Sequence, residues 1–230
     1  MKINRNSKLF SHFKLDLQEL NEFAKSALLA LSGVFLVVAG FYYLPDAVAT
    51  MSFMEEKKLP IYCVDTEEKK VALSFDAAWG NEDTAKILEV LKKHQVHVTF
   101  FMTGGWVEKY PEDVRAILAA GHDLGNHSEN HKQMSQLSKS QCKEELQLAH
   151  DKVKELTGID MTLFRPPFGD YNDTVIEAAN ELGYHVIQWD VDSLDWKDLS
   201  APEIINKVCN HKALDNGSII LCHNGAKHTA

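Results

Sequence analysis

Closely spaced cysteine pairs are missing from this chain. Its four cysteines, Cys63, Cys142, Cys209 and Cys222, lie far apart in 230 residues. Without a C-x-x-C pair, neither a zinc knuckle nor a thioredoxin-like redox motif is expected. The four read as buried thiols, with at most one disulfide whose pairing the sequence does not assign. A basic excess is missing too: 24 Lys+Arg stand against 33 Asp+Glu, a net charge of −9. Phosphate binding needs a basic surface, so a general nucleic-acid binder is excluded. No G-x-G-x-x-G follows the first predicted strand, which argues against a dinucleotide fold. Internal repeats and low-complexity tracts are absent. What is present is ordinary globular material, 45% hydrophobic and 25% charged, enough for one good-sized domain plus an appendage.

The appendage is N-terminal. Ala27–Leu44, ALLALSGVFLVVAGFYYL, runs without a charge, close to the roughly 20 residues that span a bilayer as a helix. Tyr42 and Tyr43 stand at its end, where aromatic residues meet the interface. Lys2, Arg5, Lys8, Lys14 and Lys25 precede it and favour a cytoplasmic N-terminus, with the rest outside. The rival is a cleaved signal peptide, for which Ala47-Val48-Ala49 resembles a cleavage site. The long apolar run and the long segment before it favour an uncleaved anchor. The expected organisation is therefore a cytoplasmic segment over 1–26, a transmembrane helix over 27–44, a linker over 45–59 and one domain over 60–230.

Within that domain, strands and helices alternate. Ile61–Val64 and Val71–Phe75 read as short strands. A helix over Asn81–His94 carries Ile87, Leu88 and Leu91 on one face. Val96–Phe101 is a strand, Pro111–Ala120 a helix ended by Gly121, and His122–Gly125 a short strand. Ser138 and Gln141 form a capping-box pattern. The helix they open repeats Leu146, Ala149, Val153 and Leu156 and ends at Gly158. Thr162–Phe164 is a brief strand, Asn172 caps a helix that runs to Gly183, and Tyr184–Trp189 is a strand. Ser200 caps the next helix, with Pro202 in its first turn, and Ser218–Cys222 is a buried strand. The alternation implies a parallel sheet in an α/β fold, either an open doubly wound sheet or a barrel.

Reactive side chains gather at the ends of those strands. Asp76 follows Phe75, His127 follows Gly125, Arg165 follows Phe164, Asp190 and Asp192 follow Trp189, and His223 follows Cys222. In a parallel barrel all these ends open on one face, where active sites form. His127 and His131 lie at i and i+4, one turn apart, so that both imidazoles reach one divalent ion, zinc by ligand type. Such an ion activates water and polarises a carbonyl. Asp76 is placed to take a proton from that water. His223, with an aspartate beside it, is placed to donate one to a leaving amine. Arg165 orients a carboxylate. The set describes metal-assisted hydrolysis of an amide or ester. Trp79 and Trp106, in loops after strands, either stack on a sugar ring or pack the barrel rim.

The motifs resemble those of the NodB-type polysaccharide deacetylases, the family 4 carbohydrate esterases, from about Leu59 onward. Ser74-Phe75-Asp76-Ala77-Ala78-Trp79-Gly80 stands where that family has T-F-D-D-G. His127-Ser128-Glu129-Asn130-His131 matches H-[ST]-x-x-H, and Arg165-Pro166-Pro167-Phe168-Gly169 matches R-x-P-[FY]. Asp192-Ser193-Leu194-Asp195-Trp196 matches D-x-x-[DN]-W, and Leu221-Cys222-His223 matches L-x-H. The resemblance implies a distorted (β/α) barrel with fewer than eight strands. It implies removal of N-acetyl groups from the amino sugars of a glycan polymer, chitin-like or peptidoglycan. It assigns Asp76 as base, His127 and His131 as metal ligands, Arg165 as orienter of the base, Asp192 as the group that tunes His223, and His223 as acid. Within the family, SFDAAWG, the preceding IYCVDTEEKK and the anchor look most like the PdaB group of sporulation deacetylases, which points to cell-wall or spore-cortex peptidoglycan.

Two departures qualify the resemblance. The second aspartate of T-F-D-D-G, the family's third metal ligand, is Ala77 here, and a methyl group cannot coordinate. The chain also stops seven residues after His223, where a barrel needs a further helix, so a fragment is expected. Three functions follow for testing: a membrane-anchored N-deacetylase, a non-catalytic glycan-binding protein on the same fold, and an amidohydrolase acting on a small amide.

Overall fold

The computed structural model describes residues 21–40 and 57–230. They belong to two compact units, Met1–Glu56 and Lys57–Ala230. Helix α1, Asn21–Gly40, has a mean hydropathy of 1.9 and is long and apolar enough to cross a membrane. Ahead of the uncharged run it includes Glu22 and Lys25, which pair across one turn at 2.8 Å, and both are good helix formers. Leu28, Leu29, Phe35 and Leu36 are exposed. Residues 41–44 of the expected span, with Tyr42 and Tyr43, lie outside the described residues. So do Lys2, Arg5, Lys8 and Lys14, the Ala47–Ala49 segment and the linker up to residue 56.

The larger unit is built on seven parallel strands: β1 Ala72–Ala77, β2 Thr99–Met102, β3 Asp123–Asn126, β4 Leu163–Phe164, β5 His185–Val186, β6 Val191–Asp192 and β7 Ile219–His223. Their order is β5-β4-β3-β2-β1-β7-β6. The two outermost strands are thus consecutive in the chain, and the sheet curls into a distorted barrel with seven strands. Ile61 lies across the gap: its N–H donates to Val186 O at 2.8 Å and its carbonyl accepts from Gln188 N at 2.7 Å. The expected strand over Ile61–Val64 is reduced to two isolated bridges, Ile61 with Ile187 and Cys63 with Ser218.

Side-chain alternation separates two layers. Phe75 of β1 and Phe100 of β2 stack at 5.1 Å in the apolar layer shared with the helices. Ser74 and Asp76 take the opposite face, toward the barrel interior, where Phe101, Ile187 and Ile219 form a smaller cluster. Helices α2 (Thr84–His94), α4 (Pro111–Ala119), α5 (Lys139–Thr157), α6 (Asp173–Glu181) and α7 (Ala201–Cys209) fall where periodicity and caps put them. Ser138 and Gln141 make the full capping box, and Gly158 ends α5 at φ 78°. Asn172 accepts Val175 N at 3.0 Å.

Two elements were not anticipated. Helix α3, Gly104–Lys109, starts on a Gly-Gly pair that reads as a turn. Thr103 supplies the cap by accepting Trp106 N at 3.1 Å. The expected strand over Tyr184–Trp189 shortens to β5, and β6 forms beyond its end. Asp190, between them, takes Ile219 N at 2.8 Å and Ser218 Oγ at 2.9 Å on its carboxylate. A side chain there replaces a stretch of ladder and turns the chain. All four cysteines are free, and only Cys142 and Cys222 are buried. The expectation of four buried thiols is corrected for Cys63 and Cys209, which sit on an edge segment and at the end of α7.

Candidate active site

Four of the strand ends converge. Asp76, near the end of β1, is buried, and its Oδ1 accepts from Arg165 Nη1 at 2.8 Å. Arg165, after β4, is fully buried. Its Nη2 donates to Ser74 Oγ at 2.9 Å, and its guanidinium lies 4.2 Å from the centre of the Phe101 ring. Burial alone raises the Asp76 pKa, but Arg165, with His127 and His223 behind it, outweighs burial and holds it below the usual carboxylate value. The residue is therefore an ionised carboxylate inside the barrel.

His127 follows β3. Its Nδ1 is 2.7 Å from the Arg165 carbonyl, so the ring donates there and turns Nε2 toward Asp76 Oδ2, 3.5 Å away. His131 stands beside it with ring centroids 4.9 Å apart. The two are joined through a tight loop rather than the helical turn their spacing suggests. Ser128 and His131 both have left-handed backbones, at φ 66° and 54°, and His131 N donates to Ser128 Oγ at 3.1 Å. Burial lowers the pKa of both histidines, that of His131 to about 4. Both are neutral at pH 7, the form that ligates a metal.

His223 ends β7. Its Nδ1 pairs with Asp195 Oδ1 at 2.7 Å, and its backbone N–H donates to Asp195 Oδ2, also at 2.7 Å. Burial by itself lowers the His223 pKa; the Asp195 bond, with Asp76 and other carboxylates, reverses that and raises it. The hydrogen-bonded partner is not the expected Asp192, whose Oδ1 accepts Leu194 N at 2.8 Å in a local turn and whose charge acts on His223 only through space. Asp192 still lines the cavity, but the aspartate paired with His223 is Asp195. The D-S-L-D-W motif contained both, and only the left-handed turn at Leu194, φ 55°, decides which one reaches the imidazole. Asp190 is occupied with the β7 backbone and does not enter the site.

These groups open into a cavity of about 400 Å³ lined by Asp76, Trp79, His127, His131, Phe168, Trp189, Asp192, Trp196, Leu221 and His223. Trp79 is 56% exposed and lies 5.1 Å from the His131 ring and 6.2 Å from the His223 ring. Phe168 meets His131 edge-on at 4.5 Å. The expectation of Trp106 at the site is corrected. It is 2% exposed and its Nε1 donates to Gly80 O at 3.0 Å. Asn224 Nδ2 holds the same carbonyl at 2.9 Å, so Trp106 fixes the loop that carries Trp79 from behind. Sequence reasoning missed Phe168, Trp189 and Trp196 as lining residues. Phe168 and Trp196 stood within motifs, where single-residue lining positions are not distinguished.

The two imidazoles fit a borderline divalent ion. A third protein ligand does not accompany them: among the described residues no group of three His, Cys, Asp or Glu is arranged to hold a metal. Asp76 is engaged by Arg165, and Ala77 is fully buried in the apolar layer beside the helices.

A model of the polysaccharide deacetylase family matches residues 64–187. An uncharacterized 30.6 kDa protein of Geobacillus stearothermophilus is 37% identical over 194 residues, covering 81% of this chain and 71% of its own length. PdaA of Bacillus subtilis (strain 168), a peptidoglycan-N-acetylmuramic acid deacetylase, is 36% identical over 154 residues, covering 66% of this chain and 59% of its own. The structure of BA3943 from Bacillus anthracis, a CE4 family pseudoenzyme, aligns with a TM-score of 0.70 at 34% identity, over 72% of this chain and 58% of that one. A mutant of BA3943 with restored enzymatic activity aligns with the same TM-score. The chain thus spans less than two thirds of PdaA and of BA3943.

Proposed function

The chain belongs to the polysaccharide deacetylase family, and on that footing we propose that it hydrolyses N-acetyl groups from the amino sugars of peptidoglycan. The observation that carries this reading is the facing pair in one cavity: a carboxylate paired with Arg165 and an imidazole whose Nδ1 is paired with Asp195, which raises its pKa. Asp76 accepts a proton from the attacking water, and Arg165 keeps its carboxylate charged and oriented. His223 donates its Nε2 proton to the amine as the amide bond breaks, and Asp195 keeps Nδ1 engaged so that Nε2 faces the substrate. Trp79, Phe168 and Trp196 offer apolar faces for sugar rings. A divalent ion at His127 and His131 supplies Lewis-acid polarisation and a more acidic water when bound. With Ala77 in place of a carboxylate it is held weakly.

Helix α1 serves in this reading as an uncleaved anchor, with the barrel on the outer side of the membrane, where peptidoglycan lies. A place in sporulation or cell-wall modification belongs to the same proposal. A second reading, glycan binding without turnover, is favoured by one specific observation: the missing third ligand, in a chain similar to a pseudoenzyme of the same fold. The test is a substrate panel of N-acetylated peptidoglycan, chitin oligomers and small linear amides, incubated with the full chain and with His223→Ala. Acetate from peptidoglycan, abolished by the substitution, supports hydrolysis. Binding to peptidoglycan without acetate supports the second reading, and turnover of small amides alone overturns both.

A further inference from the structure

The loop that joins the two histidines is held by helix α5, and we infer that Glu145 is a positioning residue for the metal site, acting through Asn130 on His131. This inference rests on the metal-binding reading of His127 and His131. Glu145 is 4% exposed, and a carboxylate that deep persists only when donors surround it. Two of its donors come from one loop residue: Asn130 N reaches Oε2 at 2.8 Å and Asn130 Nδ2 reaches Oε1 at 2.9 Å. The third is Lys132 Nζ, 2.7 Å from Oε1. All three belong to residues on either side of His131. Asn130 is itself exposed, so little packing fixes the loop there and the carboxylate supplies the hold.

The same helix takes hold of the loop at two more points. Leu146 O accepts Asn126 Nδ2 at 2.8 Å, and Asn126 Oδ1 in turn accepts Ser128 N at 2.8 Å. Lys152, two turns along from Glu145, donates to Glu129 Oε1 at 2.5 Å. Positions 145 and 152 share one helix face, so α5 grips residues 129 and 130 side by side. The grip has work to do. Ser128 and His131 both sit in the left-handed region without being glycine, a conformation that the surroundings must impose. His127 is fixed independently by the Arg165 carbonyl, whereas among the described residues no other residue hydrogen-bonds the His131 ring. Phe168 and Trp79 pack against its ring, and the loop backbone sets where that ring starts. Where three ligands hold an ion, a loosened one is tolerated; with only two imidazoles, the placement of the second sets the affinity. Partners behind metal ligands commonly change affinity by roughly 10–100-fold when removed.

The test uses the full chain in detergent micelles, with Co²⁺ alone as the probe, in the native background and with Ala77→Asp. Histidine side-chain NMR on the metal-free protein reads the ring directly. For Glu145→Ala the expected result is a shifted or broadened His131 signal, an unmoved His223 signal and Co²⁺ affinity about tenfold lower or more. Glu145→Gln keeps a carbonyl acceptor for Asn130 and is expected to restore both readouts to near the native values, which a general loss of folding does not do. Lys132→Ala removes only the ion pair and is expected to leave His131 in place. A Glu145→Ala protein with an unchanged His131 signal and unchanged affinity overturns the inference. If no background takes up Co²⁺, the metal reading falls, and the His131 signal alone then upholds or overturns the role of Glu145.

Discussion

On one side of the cavity, Asp76 and His223 each meet a group of opposite charge; on the other, among the described residues, His127 and His131 have no third protein ligand beside them. The difference follows from what burial demands. An ionised carboxylate inside a barrel needs a cation beside it, so Arg165 is inseparable from Asp76. A buried imidazole escapes the same demand by staying neutral, as both metal-side histidines do. Loss of a ligand at position 77 therefore leaves the fold intact, while loss of Arg165 does not.

The largest effects are expected on the charged side. Asp76→Asn should lower acetate release by about 10²–10⁴-fold in a steady-state assay, and it should also cost stability, since it leaves the fully buried Arg165 without its counter-charge. Arg165→Ala should in addition destabilise the protein by about 3–5 kcal/mol, because it strands a buried carboxylate; chemical denaturation measures this. Equal, small stability losses for the two variants would break the contrast between the two sides.

Asp195→Asn comes next and is read in the pH profile. The folded His223 has a raised pKa, so its proton is present below that value and lost as pH rises through it. Removing the Asp195 charge lowers the pKa, and the alkaline limb of kcat/KM should move to lower pH. Asp192→Asn should move it far less. The same shift for both would restore the Asp192 assignment that the motif alone suggested.

On the metal side, Ala77→Asp should tighten divalent-ion binding by about 10-fold or more, from the weight of an added anionic ligand, while lowering the melting temperature, since the side chain is fully buried. Titration calorimetry and a thermal scan read the two. The smallest expected effect is at the rim. Trp79→Ala removes a ring worth about 0.5–1.5 kcal/mol of stacking and should raise KM several-fold with little change in kcat.

Much of this was legible in the residues. Helix caps at Ser138, Asn172 and Ser200 are local chemistry, and they placed three helices. The strand-end pattern placed Asp76, His127, Arg165 and His223 together because a parallel sheet leaves that edge no freedom. What was illegible depends on turns and layers. Nothing local says that Leu194 takes a left-handed backbone and delivers Asp195 rather than Asp192. Nothing local says that Trp106 faces inward while Trp79, also in a loop after a strand, faces the cavity. Glu145 carried no signal at all, since a glutamate in an amphipathic helix reads as solvated until the loop above it is seen.

The central claim is that the acid–base side is complete and the ion is held weakly. It is tested most directly by acetate release from N-acetylated peptidoglycan by the full chain, measured across a titration of added Zn²⁺ or Co²⁺. The account predicts acetate that rises with metal concentration and disappears on chelation. No acetate at any metal concentration, with peptidoglycan still bound, would contradict it.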